Sequence, residues 1–276
     1  MSLVWVNGVN GANISALDRA VAYGDGLFAT MRSASDGILY LESHFDRLTQ
    51  GAQRLNLCSE GKPWAATPAL VNLLASIAAQ YPHHCIKLVL SRGIGGRGYA
   101  PPVDATITEI VSVSPLPSHY AQWQQRGIKL QTSRVSLARQ PLLAGMKHLN
   151  RLEQVLIKSA SLVSGFDDWL VQDTDDNVIE SSMANLFLVQ GNTCITPALT
   201  HSGVAGVMRE QVITALLANG IDVQVSPVSR VMLANSSHLF LTNSLFGLVD
   251  VVGVDEQPWQ PWSYSAKFRQ LLSVTL

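Results

Sequence analysis

Lysine, cysteine and charge of either sign are all scarce in this sequence. Charged residues make up 14% of its 276 positions, and the formal charge at neutral pH is -1. No Lys/Arg cluster interrupts the chain, which leaves no basic footprint for a polyanion and argues against nucleic acid as a partner. No apolar run approaches the ~20 residues that span a bilayer, and the stretch from Met1 to Gly8 has neither the basic nor the long apolar region of a signal peptide. The expectation is a chain that meets no membrane and stays in the cytoplasm. Cys58, Cys85 and Cys194 are odd in number and widely spaced. That fits reduced thiols, excludes a disulfide framework and leaves no spacing for zinc, so no metal is expected.

What is present is 47% apolar residues, enough for a substantial core in two modest domains. In the first third, Leu3–Val6, Ile38–Leu41, Ile86–Leu90 and Thr106–Val113 carry β-branched residues in partial alternation. Ser43–Asn56 and Pro68–Gln80 space their apolar residues as helices do. The pattern breaks at Pro115-Leu116-Pro117-Ser118. Beyond it, strands are expected at 128–135, 169–172, 185–189, 193–196, 223–225, 238–241 and 248–252. Helices are expected at about 148–164, 206–219 and 262–274, the first with Leu149, Leu152, Leu156 and Ala160 along one face. The predicted fold class is α+β in two domains: a small N-terminal α+β domain over 1–115, a linker over 116–127, and a larger C-terminal domain over 128–276.

The six lysines are Lys62, Lys87, Lys129, Lys147, Lys158 and Lys267. Lys87 and Lys129 sit in strand patterns on what reads as the solvent face, and Lys158 sits in mid-helix. Lys147 differs, because it ends the loop Leu142–Met146 and directly precedes the helix predicted from His148. Partial desolvation among small and apolar neighbours would favour the neutral amine that covalent attachment to a carbonyl requires; a solvated lysine at a helix start is the other reading. The segment Gly203-Val-Ala-Gly206-Val207-Met-Arg209 leads glycines into a helix, as a phosphate site needs, or as an ordinary glycine turn does. Glu180 lies between apolar neighbours and needs a cation. A protonated pyridine nitrogen would serve, and so would an arginine or exposure at a strand edge. Ser91-Arg-Gly-Ile-Gly-Gly-Arg97-Gly-Tyr99 could cradle a nucleotide phosphate, but it lacks the Lys-Ser/Thr of a P-loop and opens no helix. It could equally present Arg97 to a carboxylate.

Taken together, Tyr23-Gly-Asp-Gly-Leu-Phe-Ala-Thr30-Met-Arg32, His44-Phe-Asp-Arg47-Leu48, Lys147-His-Leu-Asn-Arg151, Glu180 to Phe187 and Gly203 to Arg209 resemble the fold type IV pyridoxal-phosphate enzymes. That family includes the branched-chain and D-amino-acid aminotransferases. The matches keep the family's order from about residue 4 to residue 250. Within it, residues 91–99 and 144–157 are most similar to the aminodeoxychorismate lyases. The resemblance implies pyridoxal 5′-phosphate carried on Lys147, with Glu180 at its ring nitrogen. Arg47, the amides of Gly206 and Val207, and Ser244 are implied at its phosphate. Thr30 is implied on the substrate side with a catalytic role, and Arg97 and Tyr23 as substrate-binding residues. The implied substrate is the small molecule 4-amino-4-deoxychorismate, cleaved to pyruvate and 4-aminobenzoate, and the implied assembly is a homodimer. An aminotransferase of the same fold is the nearest alternative, and a nucleotide-binding module without catalysis is the more distant one.

Overall fold

A computed structural model describes residues 3–59, 61–102 and 105–276. Met1 and Ser2, on which part of the leader expectation rests, lie outside them. The chain forms two compact units, Met1–Leu116 with Met146–Asn150, and Pro117–Gly145 with Arg151–Leu276. Lys147 therefore belongs to the first unit, whereas the sequence placed it in the C-terminal domain.

The first unit holds a six-stranded antiparallel sheet in the order Val9–Asn10, Leu3–Val6, Thr108–Pro115, His84–Ser91, Gly26–Ala34, Gly37–Ile38. Strand Gly26–Ala34 alternates as a half-buried strand must. Leu27, Ala29 and Met31 are buried, while Phe28 and Thr30 are only partly covered. Helix Leu41–Arg54 buries His44, Phe45, Leu48, Gly51 and Ala52, the spacing of one helical face. Its approach to Gly26–Ala34 depends on Gly51, where a Cβ would stand 2.8 Å from Leu27 Cδ1. Helix Pro68–Gln80 matches its predicted span and begins with Thr67 Oγ1 accepting from the Leu70 N–H at 3.2 Å.

The second unit holds a nine-stranded mixed sheet. Six of its strands run in the order Val178–Ser181, Asp168–Gln172, Ile128–Thr132, Gly247–Val254, His238–Asn243, Asn185–Gln190, and pairing of Glu180 with Asn185 joins the first of these to the last. The ring so closed places these two polar residues side by side.

Two predictions are corrected here. The expected linker contains the helix His119–Arg126, whose Tyr120 and Trp123 enter the core beside Phe246. The proline-rich break ends just before that helix and does not extend through it. The helix predicted at 148–164 is Leu152–Ser159, with Ile157 its buried residue and Leu152, Val155 and Leu156 exposed. Among the described residues no helix is long and apolar enough to cross a membrane.

Candidate active site

In the first unit, the residues around Lys147 are extended, not helical. The Phe28 N–H donates to Lys147 O at 2.9 Å and the Leu149 N–H to Gly26 O at 3.0 Å. His148 bridges Leu27, so residues 147–149 add a short rung to strand Gly26–Ala34. The Asn150 side-chain amide fixes the end of this rung on Gly24 O at 2.9 Å. The rung sets the Lys147 ammonium 4.5 Å from the centre of the Phe28 ring. The Lys87 ammonium stands 4.7 Å from the same ring, and Lys87 is the cross-strand partner of Thr30. Cross-strand partners share a face. Phe28, Thr30, Lys87 and Lys147 thus belong together: Lys87 is exposed, as its strand pattern predicts, and it shares its face with Lys147. Alternation identified its face as non-core but could not show that a second lysine shares that face.

Arg47 and His44 lie one turn apart on helix Leu41–Arg54. His44 is 1% exposed, and neither ring nitrogen has a hydrogen-bond partner among the described residues. Burial, and then the charges of Arg47 and Lys147, push its pKa well below that of an ordinary histidine. A neutral imidazole beside two cations leaves unused donor capacity in a region of positive charge. Such surroundings fit an anionic group.

In the second unit, Glu180 is 6% exposed, and its Oε2 accepts the Val204 N–H at 3.0 Å. Burial holds the Arg151 guanidinium below its usual range, while the negative charges of Glu180 and Glu153 oppose that shift. The carboxylate is accordingly set in a neutralising environment before any ligand is considered. Asn185 donates to Val204 O at 2.7 Å. Gly145 grips the same loop from the other edge, donating to Gly203 O at 3.0 Å and accepting from the Ala205 N–H at 2.9 Å.

Gly206 is the N-cap of helix Val207–Ala218 and offers no capping side chain, so first-turn N–H groups remain available to an anion. A Cβ at Gly206 would collide with Asn185 Oδ1, which makes glycine a steric requirement. Thr242, the cross-strand partner of Asn185, is 1% exposed, and its hydroxyl has no partner among the described residues. Ser244 follows in a turn held by Asn243 Oδ1, which accepts from the N–H groups of Leu245 and Phe246 at 2.9 Å each. The uncapped helix start, the orphaned hydroxyl and the glycine cradle fit a phosphate group; the buried Glu180 fits a protonated ring nitrogen.

The segment Ser91–Tyr99 connects two antiparallel strands and opens no helix, which removes the structural basis for a nucleotide loop. Arg97 is exposed on it. Tyr23 packs edge-on against Tyr99, with ring centres 5.5 Å apart. Sequence reasoning missed Lys87, His44 and Thr242. For His44 the signal was its place in the motif His44–Leu48, one turn before Arg47.

The profile described as amino-transferase class IV matches residues 26–254. The chain is similar to an aminodeoxychorismate lyase of Vibrio harveyi, 36% identical over 253 residues that cover 91% of each chain. It is also similar to the crystal structure of 4-amino-4-deoxychorismate lyase from Pseudomonas aeruginosa, at 38% identity, 98% coverage of each chain and a TM-score of 0.91. A hypothetical aminotransferase from Mycobacterium tuberculosis, in a PLP-bound form, shares the fold at 20% identity and a TM-score of 0.84, covering 99% of this chain and 98% of that one.

Proposed function

Because the chain belongs to the class IV aminotransferase family, we propose that it is a pyridoxal-5′-phosphate-dependent lyase cleaving 4-amino-4-deoxychorismate to 4-aminobenzoate and pyruvate, for folate biosynthesis. The observation that carries this reading is similarity to two such lyases across 91% and 98% of the chain, with the buried carboxylate and the glycine cradle in place.

The cofactor, when bound, supplies a sink for the electrons released at the carbon bearing the substrate amine. The protein's residues do the rest. Lys147 Nζ would hold the cofactor and, once free, would serve as the base that takes the proton from that carbon. Glu180 would face the ring nitrogen and favour its protonated form. Arg47, the amides of Gly206 and Val207, and Ser244 would hold the cofactor's phosphate and so orient the group for the reaction. Loss of the proton and departure of the neighbouring ether oxygen as enolpyruvate leave an aromatic ring. Thr30 Oγ1 relays a proton to the enol, which becomes pyruvate. Arg97 and Lys87 meet the substrate carboxylates, and Tyr23 borders them through Tyr99.

The test is direct. Pure protein given 4-amino-4-deoxychorismate and no keto acid should release pyruvate and 4-aminobenzoate in equal amounts. Conversion of the cofactor to its aminated form by an ordinary amino acid, without pyruvate, would establish an aminotransferase instead. Gly206→Ala should weaken binding of pyridoxal phosphate roughly tenfold, the effect of about 1–2 kcal/mol lost at one anion contact. Titration of cofactor into the apo protein reads this out.

We further assign the chain to a homodimer in the cytoplasm. The exposed Leu152, Val155 and Leu156 on one short helix, with exposed Leu142 and Val163 in the same unit, form more apolar surface than a solvated helix presents, and a second copy is its natural cover. The free thiols of Cys58, Cys85 and Cys194 suit a reducing compartment.

A further inference from the structure

Arg97 projects from a connection rich in glycine: Gly93, Gly95, Gly96 and Gly98 lie within six residues, and Gly93 and Gly98 take positive φ of 89° and 88°. A segment of that kind loses much entropy on ordering, and an exposed arginine on it is a poor ligand unless something holds its backbone. Arg19, 3% exposed in the first unit, does so. Its Nη2 donates to Tyr99 O at 2.8 Å, and its Nη1 donates to Gly98 O at 3.2 Å and Ala100 O at 3.3 Å. The Arg19 N–H also donates to Gly93 O at 2.9 Å. One residue therefore ties both ends of the segment, its main-chain N–H the start and its buried guanidinium the end.

The anchor is itself fixed. Arg19 Nε meets Asp25 Oδ2 at 2.8 Å, and Arg92 grips both oxygens of Asp25, at 2.7 and 3.0 Å. Hydrogen bonds from the two arginines overcome burial, the largest single influence, and hold the Asp25 carboxyl below the usual carboxylate range. Arg92 also donates to Leu55 O at 2.9 Å and Asn56 O at 2.8 Å, at the end of the helix that carries Arg47. Asp25 directly precedes strand Gly26–Ala34, which carries Phe28 and Thr30. The cluster Arg19–Asp25–Arg92 thus locks three segments to one point, each bearing a residue of the proposed site.

We propose that Arg19 is a positioning residue for substrate recognition, holding residues 97–100 so that Arg97 is ordered before the substrate arrives. The inference rests on the reading of Arg97 as a substrate-carboxylate ligand. Preorganisation of this kind removes an ordering cost from binding and leaves the chemical step untouched. It acts on KM.

Arg19→Lys tests it, because one ammonium can still meet Asp25 but cannot serve three carbonyl oxygens. With 4-amino-4-deoxychorismate as substrate, the variant should raise KM roughly tenfold, with kcat within about threefold of the parent. The cofactor absorption band and the cofactor Kd should not change. Hydrogen exchange at residues 98–100 should speed up. Gly95→Ala is an independent perturbation that removes no charge, since its Cβ would stand 2.6 Å from Arg19 Cδ; it should move KM in the same direction by less. Because Arg19 acts through Arg97, adding Arg97→Ala to Arg19→Lys should cost less than Arg97→Ala alone. An unchanged KM in Arg19→Lys, with a raised KM in Arg97→Ala, overturns the clamp. A raised KM in Arg19→Lys beside an inert Arg97→Ala overturns the reading of Arg97 as a substrate ligand, and with it the proposal that Arg19 acts through Arg97. Inert results for both variants overturn both readings.

Discussion

Replacing Lys147 with alanine should abolish pyruvate release, by roughly 10⁴-fold or more, and should erase the absorption band of protein-bound pyridoxal phosphate. Two functions disappear with one amine: the covalent attachment point, and the base that takes the proton from the amine-bearing carbon. The fold should survive the change. The contacts that place this residue on strand Gly26–Ala34 run through main-chain atoms, Phe28 N to Lys147 O and Leu149 N to Gly26 O, and alanine keeps both. Lost activity in a protein with unchanged circular dichroism would therefore be chemical in origin. Among the described residues, Lys87, whose ammonium also lies against the Phe28 ring, is the lysine on that shared face that could substitute. Its contact with the ring is made from the opposite strand and not from the rung that carries Lys147, so rescue by Lys87 is not expected. Loss of activity with retention of the band would move covalent attachment to another lysine and overturn the assignment.

The sequence made Lys147 legible through its neighbours but misplaced its surroundings. Periodicity read Leu149, Leu152 and Leu156 as the core face of a long helix. In the folded chain, residues 147–149 pair with a strand, and Leu152 and Leu156 are exposed. Apolar spacing reports that one face of a segment is apolar; it does not show that this face lies in the core of its own unit. The helix Pro68–Gln80 was legible to the residue because Thr67 and Pro68 mark its start by local chemistry alone. Helix His119–Arg126 was hidden because its buried tyrosine and tryptophan follow a proline pair that looks like a linker. The strand carrying Phe28 and Thr30 was visible only as a motif. Asp25 lies inside that motif and Arg19 just before it, and neither shows a role there, since a guanidinium that ties a segment 80 residues away leaves no local pattern in the sequence.

Glu180→Gln should lower kcat by roughly 10²- to 10³-fold, with the cofactor still attached and KM nearly unchanged. The substitution is close to isosteric. The amide oxygen can accept the Val204 N–H as Glu180 Oε2 does at 3.0 Å, so the loop from Gly203 to Gly206 should stay in place. What vanishes is the negative charge that keeps a pyridine nitrogen protonated, and with it the capacity of the ring to hold electrons from the carbon that loses its proton. Glu180→Ala should behave differently. It leaves the Val204 N–H without its Glu180 acceptor and removes one of the two negative charges that act on Arg151, which costs about 1–3 kcal/mol of stability, so its loss of activity would mix chemistry with unfolding. The pair of variants separates the two roles a buried carboxylate can have here. If Glu180 serves only as the counter-charge of Arg151, the glutamine variant should lose stability and keep its kcat. If it serves the ring nitrogen, the glutamine variant should keep most of its stability and lose its kcat. Thermal denaturation and steady-state kinetics on the same protein decide between them.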